Sequence, residues 1–137
     1  MLRRVYLDAS VVLAIANYEG PLADEAVLIL DKAEEIHSSV LVDLEVLAPS
    51  RASGRTKRVE RINRVLSIVT HFHSVTETTW QKAMDLASQT IGLSAADAIH
   101  LALCQEHNAI FLNAERPERA PNRISGVESR TIYQGGV

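Results

Sequence analysis

The chain has 137 residues, of which 47% are hydrophobic and 23% charged, with a formal net charge of −3 and a single cysteine, Cys104. That length fits one domain with one real core, and the composition excludes disordered and low-complexity classes. A lone cysteine excludes an internal disulfide framework and a cysteine-rich zinc site, and it suits a reducing cytoplasm.

Val5-Tyr6-Leu7 reads as a buried strand, and Ala9 to Asn17 as a short helix closed by Gly20-Pro21. Arg3 and Arg4 followed by apolar residues up to Ala14-Ile15-Ala16 imitate a signal peptide, but Asp8 stands mid-way where a charge is out of place. No apolar run approaches the ~18 residues of a membrane span. The expectation is a soluble cytoplasmic protein with no membrane partner.

From Leu22 to Ile36, apolar residues at 23, 26, 27, 30 and 33 have helical spacing. A short strand follows at Ile36–Ser39, then a helix from about Val40 that Pro49 should end or kink, because proline lacks the N–H for the Glu45 carbonyl. After a turn at Ser53-Gly54, Thr56 to Val69 places Val59, Ile62, Val65, Leu66 and Val69 on one stripe. His71 to Val75 alternates as a strand would. Thr76 to Thr90 is helical by pattern, with Trp80, Ala83, Met84 and Ala87 expected inward.

Ser94 to His107 is the clearest helix, capped by Ser94 and ended by Asn108. Ala109 to Leu112 reads as a strand, 115–126 as a loop, and Thr131-Ile132-Tyr133 as a last strand before a frayed tail at 134–137. Strands alternating with helices predict a single α/β domain over residues 1–137 with a mainly parallel sheet of four or five short strands. In such sheets ligands bind beyond the carboxyl ends of the strands.

Charge is unevenly spread. Residues 1–50 carry a net −6, residues 51–64 carry +5 and the remainder −2, so a compact basic segment adjoins an acidic body. Arg51, Arg55, Lys57, Arg58, Arg61 and Arg64, against Glu60 alone, form that segment, which is either a solvated helix face or a grip for an anionic partner.

Four acids stand at element boundaries or in apolar company: Asp8 after the first strand, Glu45 within Val40–Leu47, Asp97 in the first turn of the clearest helix, and Glu115 past the strand at 110–112. A carboxylate that loses water needs a cation or hydrogen-bond donors. No arginine or lysine is near Asp8, Glu45 or Asp97 in sequence, and a shared metal ion would serve all three. Each acid also has an ordinary use. Asp8 and Asp97 can serve helix termini, and Asp43 rivals Glu45 on the same helix.

Tyr6-Leu7-Asp8-Ala9-Ser10, Leu44-Glu45-Val46-Leu47, Ser94-Ala95-Ala96-Asp97-Ala98-Ile99-His100-Leu101-Ala102 and Ile110-Phe111-Leu112-Asn113-Ala114-Glu115-Arg116 occur in that order. The set resembles PIN-domain ribonucleases, close to the VapC-type toxins of toxin–antitoxin pairs, over roughly residues 4–133. The resemblance implies a PIN-like three-layer α/β/α fold and places Asp8, Glu45 and Asp97 at positions that bind magnesium or manganese. It implies that Ser10 orients the first acid. Asn113 and Glu115 depart from the usual threonine or serine, any residue, then aspartate; the longer glutamate reaches a metal through water. The implied activity is metal-dependent hydrolysis of RNA, with Asp8, Glu45, Asp97 and Glu115 holding metal, Asn113 supporting them, and the basic segment gripping flanking phosphates. The implied partners are a second copy of the chain and a small antitoxin. Two rivals stand beside this reading: an RNA- or partner-binding PIN-like domain with weakened catalysis, and a PIN nuclease of RNA maturation.

The remaining chemistry-bearing residues read more plainly. His71 and His73 point to one side of a strand and read as a surface pair, since no third nitrogen or sulfur ligand is near in sequence. His100, one turn after Asp97, reads as a neighbour of the acids, and Cys104 as a buried inert thiol.

Overall fold

The computed structural model describes residues 3–133, so the predicted tail at 134–137 lies outside the described residues. Five short strands form one sheet: β1 (Arg4–Leu7), β2 (Glu35–Ser39), β3 (His71–His73), β4 (Ile110–Asn113) and β5 (Ser129–Thr131). They run parallel in the order β3-β2-β1-β4-β5, with Tyr6 beside His37 on one side and Phe111 on the other. Six helices connect them: α1 (Ala9–Ala16), α2 (Pro21–Lys32), α3 (Val40–Ala52), α4 (Thr56–Leu66), α5 (Glu77–Gln89) and α6 (Ala95–His107). A single 3-10 turn spans Ala120–Arg123.

Strand β1 is central, and Val5, Tyr6 and Leu7 are all buried, so both faces of the sheet must be covered. Helix α1 packs with α2, α3 and α4, and α5 packs with α6. These two groups supply the outer layers of the α/β/α sandwich. The chain builds β2 and β3 on one side of β1 and then returns to build β4 and β5 on the other. This reversal opens a crevice at the carboxyl ends of β1 and β4.

Helix α3 corrects one expectation, because it runs past Pro49 to Ala52. The proline falls one turn from the helix end, where few intrahelical bonds remain to be lost. Val46, Leu47 and Ser50 are buried beneath it, and the Ser53 hydroxyl and amide both donate to the Pro49 carbonyl. Helix α5 corrects another. Ala83 is buried as predicted, but Trp80 and Met84 are 55% and 69% exposed and Ala87 is exposed. Thr79 takes the inward position instead, at the N-terminal capping box it forms with Thr76. The last strand ends at Thr131, two residues before its predicted end, although Ile132 is still buried.

The histidines also depart from expectation. His71 and His73 meet His37 of β2 and His107 of α6, with the His73 and His107 rings stacked 3.6 Å apart. Burial and the neighbouring imidazoles push His73 down to about 4, and burial holds His37 below its ordinary value.

Asn108 closes α6 at φ 51°, a left-handed conformation that asparagine and glycine tolerate best. Asn108→Ala is expected to lose about 1 kcal/mol of unfolding free energy while Asn108→Gly stays near wild type, as read from urea melts.

Candidate active site

The carboxyl end of β1 delivers Asp8 straight into the N-terminus of α1. The Asp8 amide donates to the Leu112 carbonyl of β4 at 3.0 Å, which ties the residue to the crevice. Its Oδ2 accepts the Ser10 hydroxyl at 2.6 Å and the Ser10 amide at 3.3 Å, and the Ser10 oxygen in turn accepts the Ala114 amide at 3.0 Å. One carboxylate oxygen is therefore committed to fixing the side chain. The other, Oδ1, faces inward and lies 3.7 Å from His100 Nε2.

Glu45 comes from the opposite side, on α3, and its Oε1 lies 2.6 Å from the same His100 Nε2. Asp43 is not its rival here, because it lies beside Leu47, Asn63, Leu66 and Phe72, away from the crevice. A carboxylate accepts only, so His100 Nε2 carries the proton and donates it to Glu45. In the neutral ring His100 Nδ1 is then an acceptor, 2.7 Å from the Tyr6 hydroxyl, which lies 2.7 Å from the Ser39 hydroxyl. The donors line up in one direction: Ser39 to Tyr6, Tyr6 to His100, His100 to Glu45. Ser39, Tyr6 and His100 are each no more than 1% exposed, so each hydroxyl and ring nitrogen needs its partner.

Asp97 enters from the first turn of α6, its amide bonded to the Ser94 hydroxyl at 3.1 Å. Burial raises its carboxyl above the ordinary value, and the charges of Asp8 and Glu115 raise it further against the lowering effect of Ser94 and His100. Asp8, Glu45 and Asp97 thus converge with His100 among them. No arginine or lysine pairs with any of the three among the described residues. Among the described residues no three carboxylates bring their oxygens within 4.8 Å of one another. That spacing, with His100 lodged between Asp8 and Glu45, suits a hard cation held by one or two carboxylates that keeps several waters.

Glu115 and Asn113 are placed differently. The Glu115 carboxylate lies 3.6 Å from Arg119 and is 45% exposed, yet near enough to influence Asp97. Asn113 is fully buried and accepts the Glu115 and Asn122 amides, at 2.9 and 3.2 Å, while donating to Asn122 at 2.7 Å. Its work is to pin the loop after β4.

Beside Glu45 an open groove of about 300 Å³ runs along α3, lined by Leu13, Val46, Pro49, Ser50, Arg55 and Arg58. Arg61, from the same basic segment, points elsewhere and donates from Nε to the Ala16 carbonyl at the end of α1 at 2.9 Å. Tyr6 and Ser39 escaped the sequence reading. Tyr6 looked like an ordinary strand aromatic, and nothing local marks a hydroxyl that meets residue 100.

The PIN domain family model matches residues 5–116. The chain belongs to the PIN domain family. A search of curated proteins finds no match. Among solved structures, the fold is similar to that of a toxin–antitoxin complex from Klebsiella pneumoniae, with 18% identity over 94% of this chain and 98% of that chain and a TM-score of 0.72. It is also similar to VapBC2 from Rickettsia felis bound to a promoter DNA fragment, at 12% identity, covering 93% and 97%, with a TM-score of 0.74. A third is Mycobacterium tuberculosis VapC20, a toxin that cleaves the sarcin–ricin loop, at 20% identity over 78% and 86%, TM-score 0.63. The all-parallel five-stranded sheet matches the PIN-like fold. 

Tyr6→Phe removes the middle of the buried chain and leaves Ser39 and His100 each short of a partner. It is expected to cost ~1–3 kcal/mol in urea denaturation. The His100 Nδ1 resonance should also shift in ¹⁵N NMR as it loses the Tyr6 hydroxyl, while Glu45 keeps the proton on Nε2. Unchanged ring shifts would mean that Tyr6 does not set the imidazole.

Proposed function

We propose that this PIN domain is a divalent-metal-dependent endoribonuclease, the toxin of a toxin–antitoxin pair. The observation that carries the proposal is three carboxylates without a lysine or arginine partner, gathered at the carboxyl end of a parallel sheet beside a groove lined by Arg55 and Arg58. All-oxygen donors with room for water fit Mg²⁺ or Mn²⁺, for which Asp8 and Asp97 would be the principal ligands and Glu45 an outer one. When bound, the ion supplies positive charge to the phosphodiester and a more acidic water for in-line attack. 

The chain's own residues do the positioning. Ser10 fixes one oxygen of Asp8, leaving the other to face the centre. His100 holds Glu45 by a charge-assisted hydrogen bond and is itself held by Tyr6, so Glu45 is oriented from outside the reaction. Arg55 and Arg58 grip phosphates flanking the scissile bond at a distance that leaves the acids un-neutralised. Arg51 and Lys57, both exposed, extend that grip, whereas Arg61 is largely spent on α1. Glu115 serves as an outer ligand only when Arg119 releases it.

The neighbours described above include toxin–antitoxin and VapBC complexes, which supports a small antitoxin partner. Cytoplasmic action and a homodimer belong to the same proposal and rest on the family resemblance. An apolar groove of about 390 Å³ between α2 and α4, lined by Ile15, Val27, Leu30, Ile36, Val65 and Ile68, is the seat the fold offers to an antitoxin helix. A second reading, RNA or partner binding with weakened catalysis, draws on the pairing of Glu115 with Arg119.

Asp8→Asn and Asp97→Asn are each expected to abolish Mg²⁺-dependent RNA cleavage while leaving the thermal unfolding midpoint equal or higher, because both relieve repulsion among the acids. Turnover at the wild-type rate in Asp97→Asn protein would overturn the assignment. Wild-type protein that binds RNA but does not cut it with either metal would favour the binding reading. For the groove, replacing Arg55 and Arg58 together by glutamine should lower the log–log salt slope of RNA binding by about 0.7 per lost contact, whereas Arg61→Gln should chiefly lower stability.

A further inference from the structure

Four of the five histidines in the chain gather at the far end of α6, remote from the acids. His37 and Glu35 come from β2, His71 and His73 from β3, and His107 from the last turn of α6. Five polar side chains from three elements at one sheet edge are more than packing requires. Their hydrogen bonding shows how they are arranged. Glu35 Oε1 lies 2.9 Å from His37 Nε2, so the carboxylate keeps the proton on that nitrogen and leaves His37 Nδ1 as an acceptor. That Nδ1 is aimed at His73 Nε2, 2.7 Å away. One ring nitrogen from each of His37, His73 and His107 lies within 4.8 Å of the other two.

We propose that His37, His73 and His107 form a three-nitrogen site for a borderline transition-metal ion of the zinc class, with Glu35 as the carboxylate behind the first imidazole. Three features carry it. Imidazole nitrogens select ions of this class over magnesium, which prefers oxygen. The carboxylate–histidine pair is the arrangement that fixes tautomer and ring angle in histidine metal sites and raises the basicity of the ligand. Access is open, because His37 is buried while His73 and His107 are only partly so. Two nitrogens at ~2.0–2.1 Å around a tetrahedral ion stand roughly 3.3 Å apart, so the His37–His73 pair needs to open by about 0.6 Å and the stacked His73 and His107 rings need to tilt apart. Binding replaces the proton that His73 donates to His37, and that proton moves to His73 Nδ1, leaving both rings neutral. The fourth position faces solvent and takes a water. His71 stacks on His37, and its Nε2 lies 3.8 Å from Glu35, outside the three-nitrogen set. 

Such an ion would tie β2, β3 and α6 together at the edge of the sheet. It would brace the helix that presents Asp97 and His100 at its other end.

The test uses untagged full-length protein and Zn²⁺ in competition with a chromophoric chelator, with Co²⁺ absorption as an independent readout of nitrogen ligation. Wild-type protein should bind one equivalent of Zn²⁺, and an Asp8→Asn, Asp97→Asn double variant should retain it. His73→Gln combined with His107→Gln should weaken binding at least a hundredfold and remove the tetrahedral Co²⁺ bands. Glu35→Gln should weaken it ~10–100-fold with the bands kept. If the histidine variant fails to fold by circular dichroism, His107→Gln alone, at a helix terminus, carries the test with at least a tenfold loss. Zinc binding that survives the histidine substitutions, that is lost with the aspartates, or that is absent from wild type overturns the proposal.

Discussion

The active-site end of the molecule depends on one buried hydrogen-bond chain, from Ser39 through Tyr6 and His100 to Glu45. It joins the β2–α3 junction, the central strand and helix α6, three places far apart in sequence. Each donor in it has a single acceptor that burial makes obligatory, so the chain acts as a set of spacers of fixed length. If the Tyr6 hydroxyl is taken away, the N-terminal half of α6 loses the hydrogen bond that ties it to the central strand. Asp97 rides on the same helix one turn before His100, so what positions the imidazole also positions the acid.

This arrangement makes α6 a rod with a polar device at each end. At its N-terminus Ser94, Asp97 and His100 meet Asp8 and Glu45. At its C-terminus His107 stacks on His73. The run between them, Leu101 to Cys104, is buried and featureless, and the Cys104 thiol is pushed far up by its surroundings, as a core side chain is. The two ends differ in chemistry. Carboxylates with space for water suit a hard cation, and crowded imidazoles suit a softer one.

What the sequence revealed depended on how local each signal was. Asp8, Asp97 and their capping serines lie next to their own element boundaries, so spacing alone exposes them. The parallel sheet followed from apolar strands separated by helical patterns. Position in the sheet decided the rest. His37 sits in a short strand of mixed pattern, Glu-Ile-His-Ser-Ser, and only the pairing of β2 with β3 brings it to His71 and His73. Trp80 and Met84 fit an inward stripe by period, but the phase of α5 is set by its packing on α6, which no periodicity in α5 alone contains. Pro49 does not end its helix for a similar reason: a proline near a helix end is tolerated when tertiary burial and serine hydroxyls secure the last turn.

The central claim is that the acids at the carboxyl end of β1 form a metal-dependent catalytic centre organised by His100. Anomalous diffraction from crystals soaked in Mn²⁺, collected on either side of the manganese edge, tests it most directly. The account predicts a manganese peak between the Asp8 and Asp97 carboxylates, with Glu45 still bonded to His100 beside it. No peak there at millimolar Mn²⁺, or a peak only among the histidines at the other end of α6, would contradict it.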